Sequence, residues 1–365
     1  MSLELISEPR PSTLNPQLST GVELRPFPYP YRAMLAICSD LDETPDAETY
    51  FELMRFLNTT EETSMGPGVG LEVGNSMYFD MPPGHFSYWN TDEKNREKIR
   101  ALIRSGHIDC LHSYGDLATT RAHAARALEE LQKHDCHLKV WVDHAIAPTN
   151  FGSDIMQGHG DEIGHAAYHA DLTIQYGIKY VWRGRVTSVI GQDRPVSFGG
   201  IWNSREPLAS ARTIAKEVSK QVGARYGSRK YSLHSRNATL VPSVLRNGEP
   251  IHEFLRSNPH WRGVSSCDTG DGIGQVLTDS FIDRLVERQG TCILYTHLGK
   301  LERSRRRFSA EAVNAFGRLA KYFQSGQVLV TTTARLLQHL TDKTATERSS
   351  AAGRDWCRLD FPEVC

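Results

Sequence analysis

The chain has 365 residues, 39% of them hydrophobic, which is enough to bury a full core and suits one large α/β barrel or two ordinary domains, with the single barrel as the first expectation. Its 42 basic residues against 43 acidic ones, with a sequence pI of about 6.9, leave no global field to attract nucleic acid or an anionic membrane, and so favour a small or neutral substrate. No run approaches the roughly 18 apolar residues of a membrane helix, no signal peptide is visible in "MSLELISEPRPSTLNP", and of the seven cysteines Cys38, Cys110, Cys267 and Cys292, in or beside apolar runs and without metal-knuckle spacing, read as buried thiols of a reducing, cytoplasmic compartment.

Residues 1–30, rich in Pro and Ser, suggest an arm lying over the surface. "AMLAIC" reads as a strand, "AETYFELMRFLN" as a helix and "GLEVGNSMYF" as an alternating strand. "TDEKNREKIRALIRSG" is a helix with Thr91 as N-cap and Gly106 as its stop, followed by the strand "HIDCLH". Next come "TTRAHAARALEELQKH" as helix, "LKVWV" as strand, "DEIGHAAYHADLTIQYG" as helix and "IKYVW" as strand. Residues 185–260, with several Gly, Pro and Arg and one clear helix in "PLASARTIAKEVSKQV", look like an insertion around the mouth of the fold. The rhythm resumes with "WRGVSSC", "TDSFIDRLVERQG", "TCILYT", "RFSAEAVNAFGRLAKYFQSG", "QVLVTT" and "ARLLQHL", before a polar tail over 342–365. Strand and helix alternating this often predict a parallel sheet with helical crossovers.

The ionisable residues gather at strand ends. "SDLDE" supplies Asp40 and Asp42, "HIDCLHSYGD" supplies His112 and Asp116, "VDHA" supplies Asp143 and His144, and "YTHLGK" supplies His297. In parallel α/β folds the carboxyl ends of the strands share one rim, so four remote stretches converge there. So many charges in one pocket call for compensation, and a divalent cation held by carboxylate and imidazole provides it. Such a site, with a second carboxylate as base and a histidine as acid, is a minimal kit for amide or ester hydrolysis.

In order and spacing these motifs resemble the polysaccharide deacetylases, the NodB-homology carbohydrate esterases, across roughly residues 31–341. The resemblance implies a distorted (β/α) barrel, an N-acyl hydrolase acting on a sugar, and a divalent metal, zinc first, with cobalt, manganese or nickel as substitutes. Carried over residue by residue, it assigns Asp40 as base, Asp42 and His112 as metal ligands, and His297 as general acid. Asp116 stands where the family has a second ligand histidine. Either Asp116 is the third ligand, or a histidine from elsewhere, His144, His165 or His169, completes the shell. The family's arginine motif is replaced by "VDHAIAPTNFG", and the motif whose aspartate orients the acid histidine is not recognisable. Asp143, His144 and Trp182 are therefore assigned to substrate binding, and a small glycan or glycoconjugate precursor is the expected partner, with a homo-oligomer left open.

Each residue also has a plainer role open to it. Asp40 and Asp42 suit capping of the next helix, Asp116 suits capping of "LATTRAHAARALEELQ", and His297 suits a bond to a backbone carbonyl. "HAAYH" is first of all a polar helix face, "KLERSRRR" a solvated basic stretch, and "CDTGDGIG" a rim loop in which Asp268 can touch substrate. Two other classes of protein stay open: a metal-independent amidohydrolase of the same barrel, and an inactive carbohydrate-binding relic.

Overall fold

The computed structural model of the protein describes residues 25–202, 204–260, 268–302 and 306–355. Its centre is a curled, mostly parallel sheet. The strands that concern the site are β1 (Ala33–Ser39), β2 (Gly74–Met77), β3 (Ile108–His112), β4 (Val140–Val142), β5 (Tyr180–Trp182), β6 (Val186–Thr187), β7 (Leu240–Val244), β8 (Pro250–Phe254), β9 (Arg256–Ser257), β10 (Thr291–Thr296) and β11 (Val328–Thr331). Parallel pairing runs from β10 through β1, β2, β3 and β4 to β5, and from β5 to β8. β5 continues after three residues into β6, and β8 after one into β9. Because β6 pairs β9 and β9 pairs β10, the pairing returns to its start, and the sheet closes as a distorted α/β barrel.

The closure is uneven. At the lower half of β1, β11 pairs with Ala33 to Ala36, while β2 joins the same edge only at Cys38 and Ser39. β7 lies antiparallel against β8 outside the ring.

Strand periodicity decides what faces inward. Met34, Ala36 and Cys38 of β1, Cys110 of β3, Val140 and Val142 of β4, Tyr180 and Trp182 of β5, Phe254 of β8 and Ile293 of β10 form one buried cluster inside the ring. Leu336 and Leu337, on the helix Thr333–Asp355, and Phe27 close its lower end. Alternate residues such as Leu35, Ile37, Leu111, Trp141, Val181 and Leu294 pack outward under the helices. Continuing the inward register past the last apolar residues brings Asp40, His112, His144, Arg256 and His297 to the upper rim.

Several local expectations are corrected. The N-cap of the helix Glu93–Ser105 is Asp92, whose carboxylate accepts from the Asn95 amide, while Thr91 bonds the Ser87 carbonyl. The helix expected over "DEIGHAAYHADLTIQYG" is confined to Ala170–Tyr176, because Gly164 takes φ 89° and the buried Asp161 is spent on Arg246. Residues 185–260 are not all insertion: β6, β8 and β9 are barrel strands, while β7 and the helix Pro207–Arg225 stand outside the ring. The expected tail is partly helical, since the helix that opens at Thr333 runs to Asp355. The strand expected in "WRGVSSC", most of the N-terminal arm and the last ten residues of the tail fall outside the described residues. No helix among the described residues is long and apolar enough to cross a membrane.

Candidate active site

Asp40 and Asp42 sit on the turn that leaves β1. Neither caps the following helix Ala47–Asn58, whose N-cap is Asp46. Asp40 is fully buried and receives both guanidinium nitrogens of Arg256, at 2.7 and 2.9 Å, and the Ser76 hydroxyl at 2.9 Å. Burial alone would raise its pKa, but Arg256, His112 and His297 together hold it well below the usual carboxylate range. Arg256 is itself buried, lying 4.2 Å from the ring centre of Trp182 and 5.0 Å from that of Tyr295. The two-pronged contact, packed against both rings, fixes the direction in which Asp40 points.

The barrel contains a second focus at Asp42. Its Oδ2 lies 3.4 Å from His144 Nε2 and 3.6 Å from His297 Nε2, two imidazoles that arrive from opposite parts of the ring. Each is backed by another carboxylate: His144 Nδ1 lies 2.8 Å from Asp116, and His297 Nδ1 lies 3.1 Å from Asp268. Asp42 Oδ1 is buried and has no hydrogen-bond partner. Burial works against ionisation of Asp42, yet the hydrogen bond with His144 and the nearby His112 lower its pKa. Burial likewise disfavours the charged form of His144, but Asp116 and Asp42 push it up to about 10; His297 is also raised, against burial, mainly by Asp268.

His112 completes the cluster. Its ring stacks on Tyr78 at 4.3 Å and meets His144 edge to face at 5.0 Å. Nδ1 is 2.9 Å from the Ser76 hydroxyl, and burial lowers the pKa to about 4, so the ring is neutral and able to act as a ligand near pH 7. The turn after it depends on Gly115, at φ 100°, where an added Cβ would come within 2.2 Å of the Asp80 carbonyl oxygen.

Asp116, expected as a ligand or helix cap, caps nothing, since the helix Arg121–Lys133 starts from Thr120, and it instead holds His144. Asp143, expected to touch substrate, is fully buried and accepts from the Trp141 indole and the Phe151 and Gly152 amides; it ties down the loop that carries His144. Burial pushes its carboxyl up to about 7 despite these donors. Trp182, also expected to touch substrate, is buried, its N–H goes to the Arg185 carbonyl, and Arg256 lies over its ring. His165 and His169 do not share a target. His169 is buried between Thr149 and Thr173, whereas His165 is exposed and stacks on His159.

Three contributors escaped sequence reasoning: Ser76, Arg256, and Asp268 as partner of His297. Arg256 pairs with Asp40, and Asp268 with His297. Among the described residues no three His, Cys, Asp or Glu side chains form a ready-made metal cage. The donor types nevertheless fit a cation, because the 3.4 Å between Asp42 Oδ2 and His144 Nε2 matches the edge of a tetrahedron with bonds of about 2.0–2.1 Å, roughly 3.3 Å. Asp42, His112 and His144 are the side chains that would hold it, with Asp116 orienting His144 from behind.

No family model and no curated protein matches the chain. Among solved structures, an endo-β1,6-glucanase is similar with a TM-score of 0.34 and 9% identity, over 80% of this chain and 76% of that chain. A likeness that distant carries no inference about activity.

Proposed function

We propose that the protein is a metal-dependent hydrolase that removes an N-acyl group, acetyl first, from a sugar or sugar-like molecule. The observation that carries this reading is the meeting of two imidazoles on one carboxylate oxygen of Asp42, beside a separate carboxylate, Asp40, fixed by Arg256. Zinc or a neighbouring divalent ion, when bound by Asp42, His112 and His144, would acidify a water and polarise the acyl carbonyl. Asp40 stays ionised at working pH, and its Oδ1, 3.8 Å from His112 Nδ1, takes the proton of the attacking water. Asp268 keeps the His297 Nδ1 proton in place, so that Nε2 is the nitrogen that gives its proton to the departing amine as the C–N bond breaks. Arg256 holds Asp40 still while this happens.

One observation favours a second reading. His144 has a carboxylate at each ring nitrogen and is stable there as an imidazolium without any ion, as a metal-independent amidohydrolase would require. The deciding experiment measures metal content by mass spectrometry and acetate release from N-acetylated amino-sugar oligomers, before and after chelation. Bound divalent metal, loss of turnover on chelation and its return on adding zinc support the proposal. Undiminished turnover in metal-free protein selects the second reading, and sugar binding without turnover in any metal state defeats both.

A further inference from the structure

The helix Pro207–Arg225, α5, is built inside out. Ser210, Thr213 and Glu217 face inward, where Glu217 accepts from Thr187 at 3.0 Å and the half-buried Lys220 donates to the Val186 carbonyl at 2.7 Å. Its polar side thus covers the short strand β6. The outward side carries Leu208, Ala211, Ala215, Val218, Val222 and Tyr226, at the three-and-four spacing that lines up on one helical face. Leu208 is 86% exposed, Val218 40%, Val222 45% and Tyr226 88%, and Trp202, 52% exposed, stands just before the helix. Of the ten large hydrophobic side chains exposed among the described residues, five lie between 202 and 226, so this is one patch rather than scattered residues.

Charge follows the same segment. Residues 205–236 hold eight Lys or Arg (205, 212, 216, 220, 225, 229, 230 and 236) against Glu206 and Glu217, a net of +6 in a chain whose total is −1. Arg212, Lys216 and Arg225 are exposed beside the apolar stripe. A second copy of the chain would set +6 against +6, which opposes self-pairing. An apolar stripe rimmed by cations matches the boundary between acyl chains and anionic headgroups.

We propose that α5 docks the protein on an anionic phospholipid surface, lying in the interface with Leu208, Val218, Val222 and Tyr226 turned toward the lipid. Lys216 and Lys220, on the other side of the helix, line a cavity of about 330 Å³ whose wall includes Tyr295, a neighbour of His297. The proposal does not depend on the reaction assigned above.

The test is co-sedimentation of the full chain with phosphatidylcholine vesicles, with and without phosphatidylglycerol, together with sedimentation velocity. Expected are at least about tenfold stronger partition onto the anionic vesicles, weakened by salt, and its loss in Val218→Asp/Val222→Asp with an unchanged circular dichroism spectrum. Arg212→Glu/Lys216→Glu is the second variant, expected to lose the preference for phosphatidylglycerol even if the first does not fold. Equal partition onto both vesicle types, or retention by either folded variant, overturns the proposal. So does a wild-type dimer, split by Val218→Asp/Val222→Asp, that binds no vesicle.

Discussion

The two sides of Asp42 look alike and are built differently. On one side His144 sits on a loop; on the other His297 ends a strand. His144 is placed by Asn150, whose side chain bonds both the His144 amide and its carbonyl, and by Asp143, which anchors the loop to Trp141. Its backing carboxylate, Asp116, is open to solvent. His297 continues β10, and its backbone amide donates to the carbonyl of Asp268, the residue whose buried carboxylate also holds its ring. A ligand that must lose a proton to bind a cation suits the adaptable side. A proton donor that must keep its geometry suits the rigid one.

The sharpest way to break this division is to remove each imidazole in turn. His297→Ala is expected to cut turnover by about 10²–10⁴-fold while bound metal stays near the wild-type level. His144→Ala should lower turnover and metal occupancy together. If elemental analysis finds occupancy unchanged in His144→Ala and lost in His297→Ala, the roles are reversed.

Arg256 pairs with Asp40 and with neither imidazole, so its loss does not discriminate between the two sides but measures the anchor of that carboxylate. Arg256→Met leaves a buried carboxylate without its cation, and a loss of about 3–5 kcal/mol in urea unfolding is expected. Arg256→Lys should recover only part, because one ammonium cannot replace the two-pronged contact. A stability within about 1 kcal/mol of wild type for the Met variant would mean that Asp40 finds another partner.

The backing carboxylates give a smaller contrast. Asp268→Asn is expected to lower turnover by roughly 10- to 100-fold. Because Asp268 is the main group raising the His297 pKa, its neutralisation should also move the alkaline limb of the pH–rate profile to lower pH, as the protonated donor is lost sooner. Asp116→Asn should leave that limb where it is and instead weaken metal retention by about tenfold. Identical profiles for the two variants would erase the distinction.

How much of this was readable beforehand follows from what sets each position. Asp40, Asp42, His112, His144 and His297 were legible because each follows a short apolar strand, and two-residue periodicity carries the inward register past the strand end. Arg256 was not. It stands on the two-residue β9, and β8 just before it begins with Pro250 and includes His252 and Glu253; Glu253 is buried against Arg183 and Arg185, so the alternation that marks a strand is absent. The part of Asp116 stayed open because spacing along "HSYGD" says where a residue stands after the strand, not which neighbour reaches it. His144 arrives from β4, 28 residues later, and takes the carboxylate through Nδ1. The helix Pro207–Arg225 was read from the sequence, but its apolar stripe was not, and helical periodicity fixes only that a stripe exists. That it points away from the barrel follows from the hydrogen-bonding needs of β6, a tertiary fact.

The mildest contrast uses acid. His169 lies under the loop of His144, with Nε2 at 2.8 Å from the Thr149 carbonyl and Nδ1 at 2.8 Å from the Thr173 hydroxyl, and burial lowers its pKa to about 4. Since the folded value lies below the unfolded one, near 6.5, its neutral form contributes stability that is complete above about pH 6.5 and declines as pH falls through 4. The loop side should therefore loosen first on acidification, and hydrogen exchange should rise over residues 143–152 before it rises along β10. His169→Gln is expected to start about 1–3 kcal/mol less stable at neutral pH, from buried partners left unmatched, and to flatten the dependence between pH 6.5 and 4. Exchange rising on both sides together, or a variant as pH-sensitive as the parent, would show that the two sides of Asp42 share one cooperative unit and that the loop has no separate stability to lose.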